Sequence, residues 1–262
     1  MKLMVNHQTH YRYTQQAANS IQSIKMMPKN SSHQHVQRWD MSVPGQYTMQ
    51  RDAFDNVWMM STQRYAYQQL TIMAQGIIEF DARHELANYA THLHPYIFLQ
   101  PTQVTTCSTE MLAFAAAYLQ VKDRHHVQAL AEAILDYIPY TPSATRVHSS
   151  AIDVFRQHEN GGVCQDHSHV LIAMCRAMGL PARYVSGYLY VPDMTHLASH
   201  AWVEVYLNQA WYCFDVSNQL FRPSAHVYVA VGRDYYDVAP IRGIREQGGE
   251  ESMSSVVQVL AC

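Results

Sequence analysis

Cys164 follows Gly161-Gly162-Val163 and opens an apolar-periodic run that lasts to Met178, so the spacing puts it in the first turn of a helix. A thiol there meets unpaired backbone N–H groups and the positive end of the helix dipole, and both favour the thiolate. The two glycines allow close approach of backbone and ligand. A thiolate attacks carbonyl carbon, and that chemistry needs a base to carry the proton. His200 starts the run Ser199–Leu207, and Asp215 closes the run Ala210–Val216. If Asn208-Gln209 joins them as a hairpin with Leu207 opposite Ala210, His200 and Asp215 are diagonal neighbours on one face. Such residues lie roughly 7–8 Å apart at the backbone, within reach for an imidazole and a carboxylate. A one-residue slip would put them on opposite faces. The spacing therefore predicts a nucleophile, a base and a carboxylate that orients the base. Backbone N–H groups near Cys164 would form the oxyanion hole.

Each of these residues has a plainer reading when taken alone. Most cysteines are small buried hydrophobes, and that describes Cys175, mid-helix, and Cys213, mid-strand; Cys107 falls in a loop and Cys262 at the terminus. His200 is one of 16 histidines, and Asp215 could be a strand-end cap. What favours catalysis is that all three fall at element ends that can meet. Gln165, Asp166 and Trp202 are further candidates for cleft, oxyanion or substrate contacts. Asp166 is expected chiefly to bond backbone at the helix start, and Trp202 to pack beside the site with an N–H that could face substrate. The polar run Gln165, Asp166, His167, Ser168 and His169 predicts a wet site, with Trp202 and Tyr188 as opposing aromatics. Alternate histidines at His33/His35, His92/His94 and His167/His169 would share a face on strands. No Cys-x-x-Cys or His-Glu-x-x-His accompanies them, so no metal and no cofactor are expected.

The elements that must position these residues fall into two groups. Residues 1 to about 80 read as short alternating strands, LMVNHQTHYRY, SIQSIKMM, HVQRWDMSV, NVWMMSTQ and QQLTIMAQGIIEF, with turns at Pro44-Gly45 and Asp55-Asn56. They predict an all-β, sandwich-like unit. Helical runs follow at Thr109–Leu119, His125–Ile138, Ala151–His158 and Val163–Met178, and Gly179 and Pro181 stop the last. Three strands come next, Ala182–Val191, Ser199–Leu207 and Ala210–Val216; from Gln219 the chain reads as loop plus a last strand, Ser254–Leu260. This order predicts an α+β second unit with an antiparallel sheet. The division is 1–82 and 83–262.

The stretches GGVCQDHSHVLIAMCRAMGLPARYVSGYLY, SHAWVEV and WYCFDVSN closely resemble the bacterial transglutaminase-like superfamily, whose simple members are read as cysteine proteases. The family pattern is a glycine-led Cys, then His-Ala-Trp, then an aromatic before Asp. It falls here on Cys164, His200-Ala201-Trp202 and Phe214-Asp215. The tail VGRDYYDVAPIRG and the N-terminal strands resemble the subgroup with an N-terminal β domain, so the likeness covers essentially the whole chain. Gln165 and His167 depart from it, since Arg and an aromatic are common there. The resemblance implies a papain-like α+β core and a Cys164-His200-Asp215 triad. It also implies that Gly232-Arg233-Asp234-Tyr235 is a structural loop near the cleft.

Composition bounds the partners. Lys+Arg is 18 against Asp+Glu 21, a net charge of −3, which gives no footprint for nucleic acid or an anionic membrane. Hydrophobic residues are 48% and charged residues 15%, which excludes a disordered chain. There is no signal-like start and no apolar stretch of spanning length, so the expectation is a cytoplasmic protein with reduced thiols. The expected activity is a thiol hydrolase acting on peptide or other amide bonds, with a peptide or protein substrate. A cross-linking acyl transferase and a non-catalytic peptide-binding module are the alternatives. No calcium-loop signature favours cross-linking. The oligomeric state is open.

Overall fold

The computed structural model describes residues 1–81, 83–142, 149–192, 199–223 and 225–262; Ala82, where the sequence division falls, lies outside them. The N-terminal strands are β1 (Lys2–Met27), β2 (Gln34–Ser42), β3 (Gln46–Arg51), β4 (Val57–Gln63) and β5 (Tyr67–Phe80). The sequence alternation breaks residues 3–27 into two strands, but the structure has one. Its first half lies between β5 and a C-terminal strand, β11 (Glu251–Ala261), and its second half lies between β4 and β10 (Ile241–Gln247). Register shifts at Arg12/Ala17 and Ala18/Ile21 mark where β1 changes partners. Ile24, Met26, Met59 and Ile241 of one half pack on Leu70, Ile72 and Ala74 of the other. One sheet thus folds onto itself as a sandwich, as the alternation predicts.

The second unit has helices α1 (Thr109–Tyr118), α2 (Arg124–Tyr137), α3 (Ala151–Arg156) and α4 (Cys164–Ala177). They cover one face of a four-stranded antiparallel sheet of β6 (Ala182–Leu189), β7 (His200–Leu207), β8 (Ala210–Phe214) and β9 (His226–Gly232), in the order β8-β7-β6-β9. A one-turn helix, α5 (Tyr235–Val238), follows β9. The sequence reading differs here in two ways. It leaves β9 and β10 as loop, and it assigns 241–261 to the second unit. In the structure β10 and β11 hydrogen-bond to β1. Strand β10 is mostly exposed, so its sequence carries little alternation to read, whereas β11 takes in the last strand that the sequence predicts, Ser254–Leu260, and differs only in the sheet it joins.

Helix α4 is the central element. Val170, Leu171, Ala173 and Met174 are fully buried in the cluster shared with α1, α2, α3 and the sheet. It ends as Gly179 and Pro181 dictate. Gly179 takes φ 77°, with Gly179 N–H donating to the Arg176 carbonyl and Leu180 N–H to that of Cys175. Arg176 is buried and donates to the carbonyls of Ala182 and Arg233 and to Thr105 Oγ1. That pins the far end of α4 to the sheet and fixes where its first residue lies. No described helix is long and apolar enough to cross a membrane.

Candidate active site

Cys164 is the first residue of α4 and is half-buried. The first intrahelical bond runs from His167 N–H to the Val163 carbonyl, so the N–H of Cys164 has no partner within the helix. Asp166 reaches back to accept from Val163 N–H at 2.9 Å, half of a capping box, and fixes the entry of the chain. The glycines have separate duties. Gly161 sits at φ 71°, and Gly162 exchanges backbone bonds with Pro139 and Thr141, docking the segment after α2 beside the thiol.

His200 and Asp215 are delivered by the β7–β8 hairpin. Leu207 faces Ala210 and Val203 faces Phe214, the register on which their meeting depends. Asn208 and Gln209 have φ of 47° and 65°, the two left-handed residues of a type I′ turn, although neither is glycine. The imidazole Nε2 lies 2.7 Å from Asp215 Oδ2. A carboxylate only accepts, so Nε2 carries the proton, and Nδ1 is the nitrogen left for the Cys164 thiol, which hydrogen-bonds to this ring. Burial alone would lower the His200 pKa. The Asp215 charge and hydrogen bond, with Cys164 beside the ring, outweigh that and hold it well above its usual value. Asp215 is fully buried, which by itself opposes its charge, yet its bonds from His200 and His226 keep it well below the usual carboxylate range. Asn218 supports it with N–H to Oδ1 at 3.2 Å and Nδ2 to Oδ2 at 3.0 Å.

The other candidates separate. Gln165 lines the cleft at Cys164, a space of about 590 Å³. Asp166 and Trp202 do not line it. They are 1% and 0% exposed, so a direct substrate contact is not what their positions offer. Trp202 lies under His200, ring centroids 5.8 Å apart and 29° from parallel. His167, Ser168 and His169 are also buried, so the polar run beside Cys164 does not make the site wet. A helix packed on several sides buries such residues when each finds a partner. His167 Nδ1 meets Ser217 Oγ and its Nε2 the Ile138 carbonyl, both at 2.8 Å, tying the two cleft walls together. His169 Nε2 accepts from Tyr235 N–H at 3.2 Å and holds a third wall. Tyr140, Tyr184 and Tyr235 are the aromatics that line the cleft; Tyr188 is buried away from it.

The histidine pairs fare differently from one another. His33 is buried and His35 exposed, so they share no face, while His92 and His94 are both exposed. Both ring nitrogens of His167 are engaged. A different trio converges: His200, Asp215 and His226 bring ligand atoms within 4.8 Å of one another. Both histidine nitrogens already sit at hydrogen-bond distance from one oxygen, 2.7 and 3.1 Å from Oδ2, so the trio fits shared protons better than an interposed cation. His226 and Asn218 are site residues that sequence reasoning missed, His226 because it starts a strand read as loop.

Two family models match this chain. The transglutaminase-like superfamily core matches residues 112–216, and the bacterial transglutaminase-like N-terminal region matches residues 3–79. An uncharacterised protein of Mycobacterium leprae is 29% identical over 276 residues, covering 98% of each chain. An uncharacterised Mycobacterium tuberculosis protein is 27% identical, covering 96% of this chain and 90% of its own. A candidate cysteine protease from Cytophaga hutchinsonii has a crystal structure that superposes with a TM-score of 0.80 at 21% identity, covering 99% of this chain and 90% of that one. That likeness is one of fold.

Proposed function

The chain belongs to the transglutaminase-like superfamily, and from that premise we propose that it is a thiol-dependent hydrolase of peptide or other amide bonds, with Cys164, His200 and Asp215 as its catalytic residues. One observation carries the reading. His200 donates Nε2–H to a fully buried Asp215 at 2.7 Å and turns its other face to the Cys164 thiol. Burying a carboxylate is costly unless its bonds are made, and here they are made, the shortest of them to the imidazole of His200. Cys164 Sγ gives its proton to His200 Nδ1 and attacks the substrate carbonyl carbon. The developing oxyanion is met by the N–H of Cys164 at the helix end. The C–N bond breaks as His200 returns the proton to the departing amine, leaving a thioester. Water, deprotonated by His200, then attacks the thioester, and Cys164 leaves as the thiol. Asp215 keeps one tautomer and stabilises the imidazolium throughout.

Hydrolysis is supported by polar groups that reach the cleft, Gln165, Ser186, Ser199, Ser217 and Asn218, which can hold water over the thioester. The three lining tyrosines favour the second reading, transfer of the acyl group to an amine, because aromatic walls exclude water. The test is a peptide-amide library offered with a millimolar labelled amine, with Cys164→Ala as control. Hydrolysis predicts free acid as the main product. Labelled amide as the main product would replace the hydrolase with a transferase. A folded protein that makes neither product, and whose Cys164 iodoacetamide labels no faster at pH 6 than Cys262, would be a binding module.

A further inference from the structure

Asp215 holds more hydrogen bonds than orienting one histidine requires. Its Oδ2 accepts from His200 Nε2 at 2.7 Å, from Asn218 Nδ2 at 3.0 Å and from His226 Nε2 at 3.1 Å. Asn218 is exposed, whereas His226 is fully buried. Gly187 of β6 is what lets β9 bring His226 this close, since a Cβ there would collide with the Val227 carbonyl. The His226 ring is wedged edge-on against Trp202, centroids 4.7 Å apart, and Trp202 in turn lies against His200. His33 Nε2 donates to the His226 carbonyl at 2.8 Å, which locks the backbone from the sandwich side. Because Oδ2 only accepts, the proton of His226 must sit on Nε2.

We propose that His226 is a positioning residue for the reaction above: its N–H bond fixes the rotamer of the Asp215 carboxylate and takes up part of the charge that would otherwise act on His200. The proposal rests on the reading that Cys164, His200 and Asp215 work together. Burial keeps His226 neutral, so it contributes a dipole and not a competing cation. Without it, the carboxylate can rotate, and its full charge bears on the imidazolium. The first effect slows turnover and the second raises the pH at which His200 loses its proton. The titratable groups that face this cluster are Cys164 and His167 from α4, Tyr140 from the segment after α2, Cys213 from β8 and His33 from the strand-bearing unit.

The experiment follows Cys164 carboxamidomethylation by iodoacetamide from pH 5 to 10.5 in the full chain. The variants are His226→Leu, His226→Asn and His226→Gln. The alkylation rate changes when the imidazolium opposite the sulfur deprotonates. In His226→Leu that alkaline step should move up by about half a pH unit to one unit, and peptide turnover should fall about tenfold or more through lost orientation. His226→Gln can still present an N–H near Oδ2 and should restore both. His226→Asn is too short to reach and should behave like Leu, which keeps the test open if Leu does not fold. A folded Leu or Asn variant with the wild-type step overturns the proposal, as does a Gln variant displaced as far as either. If wild-type alkylation is unchanged by His200→Ala, the Cys–His reading itself fails and this proposal falls with it.

Discussion

At the scale of single residues, the site separates Cys164 from the other thiols by surroundings rather than by sequence position. Burial pushes Cys107 up to about 11 and Cys175 up to about 12, and holds Cys213 well above the usual thiol value. Iodoacetamide at pH 6 should therefore modify Cys164 first and leave Cys175 and Cys213 untouched until the chain unfolds; peptide mapping reads the order. Asp215→Asn should leave the fold intact and cut turnover about 10³–10⁴-fold, by analogy with the loss of an orienting carboxylate in serine proteases. The sign of its pH effect follows from the same bond. Asp215 raises the His200 pKa, so the Asn variant should lose its imidazolium at lower pH, and the alkaline limb of the rate profile should move down. The trio Cys164, His200 and Asp215 was legible because each lies at an element end whose register could be worked out. Asp166 bonds backbone at the helix start and Trp202 packs beside His200, as their positions predict, but neither reaches the cleft, because spacing says which residues are adjacent and not which side of a wall they occupy. His226 was illegible, since its partner is 11 residues away across a connection that the sequence reads as loop.

At the scale of elements, local signals held where the physics is local. The caps of α4, the Gly179 stop and the β7–β8 register all follow from residues within a few positions. Strands β9 and β10 were lost for opposite reasons. Every residue of β9 is buried, so it has no alternation, and β10 is mostly exposed, so its apolar face is thin. The β7–β8 turn offers a direct check on how the hairpin carries the site. Gln209 holds φ 65°, a conformation that costs a residue with a Cβ about 1 kcal/mol or more. Gln209→Gly should stabilise the protein by about 0.5–1 kcal/mol, as urea unfolding would show. Turnover should not change, because the register that joins His200 to Asp215 is kept. A loss of turnover with a gain of stability would mean that the hairpin register moves during the reaction.

At the scale of the whole molecule, the two sheets are one body, closed by the C-terminal strands. Leu3, Val5, Phe80 and Val257 of the first sheet share a core with Tyr188, Val227 and Val229 of the second. That junction also buries histidines. His7 meets the Tyr188 hydroxyl at 2.9 Å and Ser255 Oγ at 3.0 Å, and His33 donates to the carbonyl of His226. Desolvation lowers the pKa of both to about 4, and that of His169, behind the cleft, to about 3. In the unfolded chain each would titrate near 6.5. Between about pH 6.5 and 4 the unfolded state therefore binds protons that the folded state refuses. Stability should be complete above that window, fall as pH drops through it, and level off below. Urea midpoints at pH 7.5 and 5 read the fall. His33→Gln keeps a donor for the His226 carbonyl and cannot titrate, so it should flatten the slope by about 1.4 kcal/mol per pH unit at mid-window, one proton's worth. An unchanged slope would mean that His33 takes up its proton without leaving the junction. The acid sensitivity would then lie with the other buried histidines whose pKa burial lowers, His7, His167, His169 and His226.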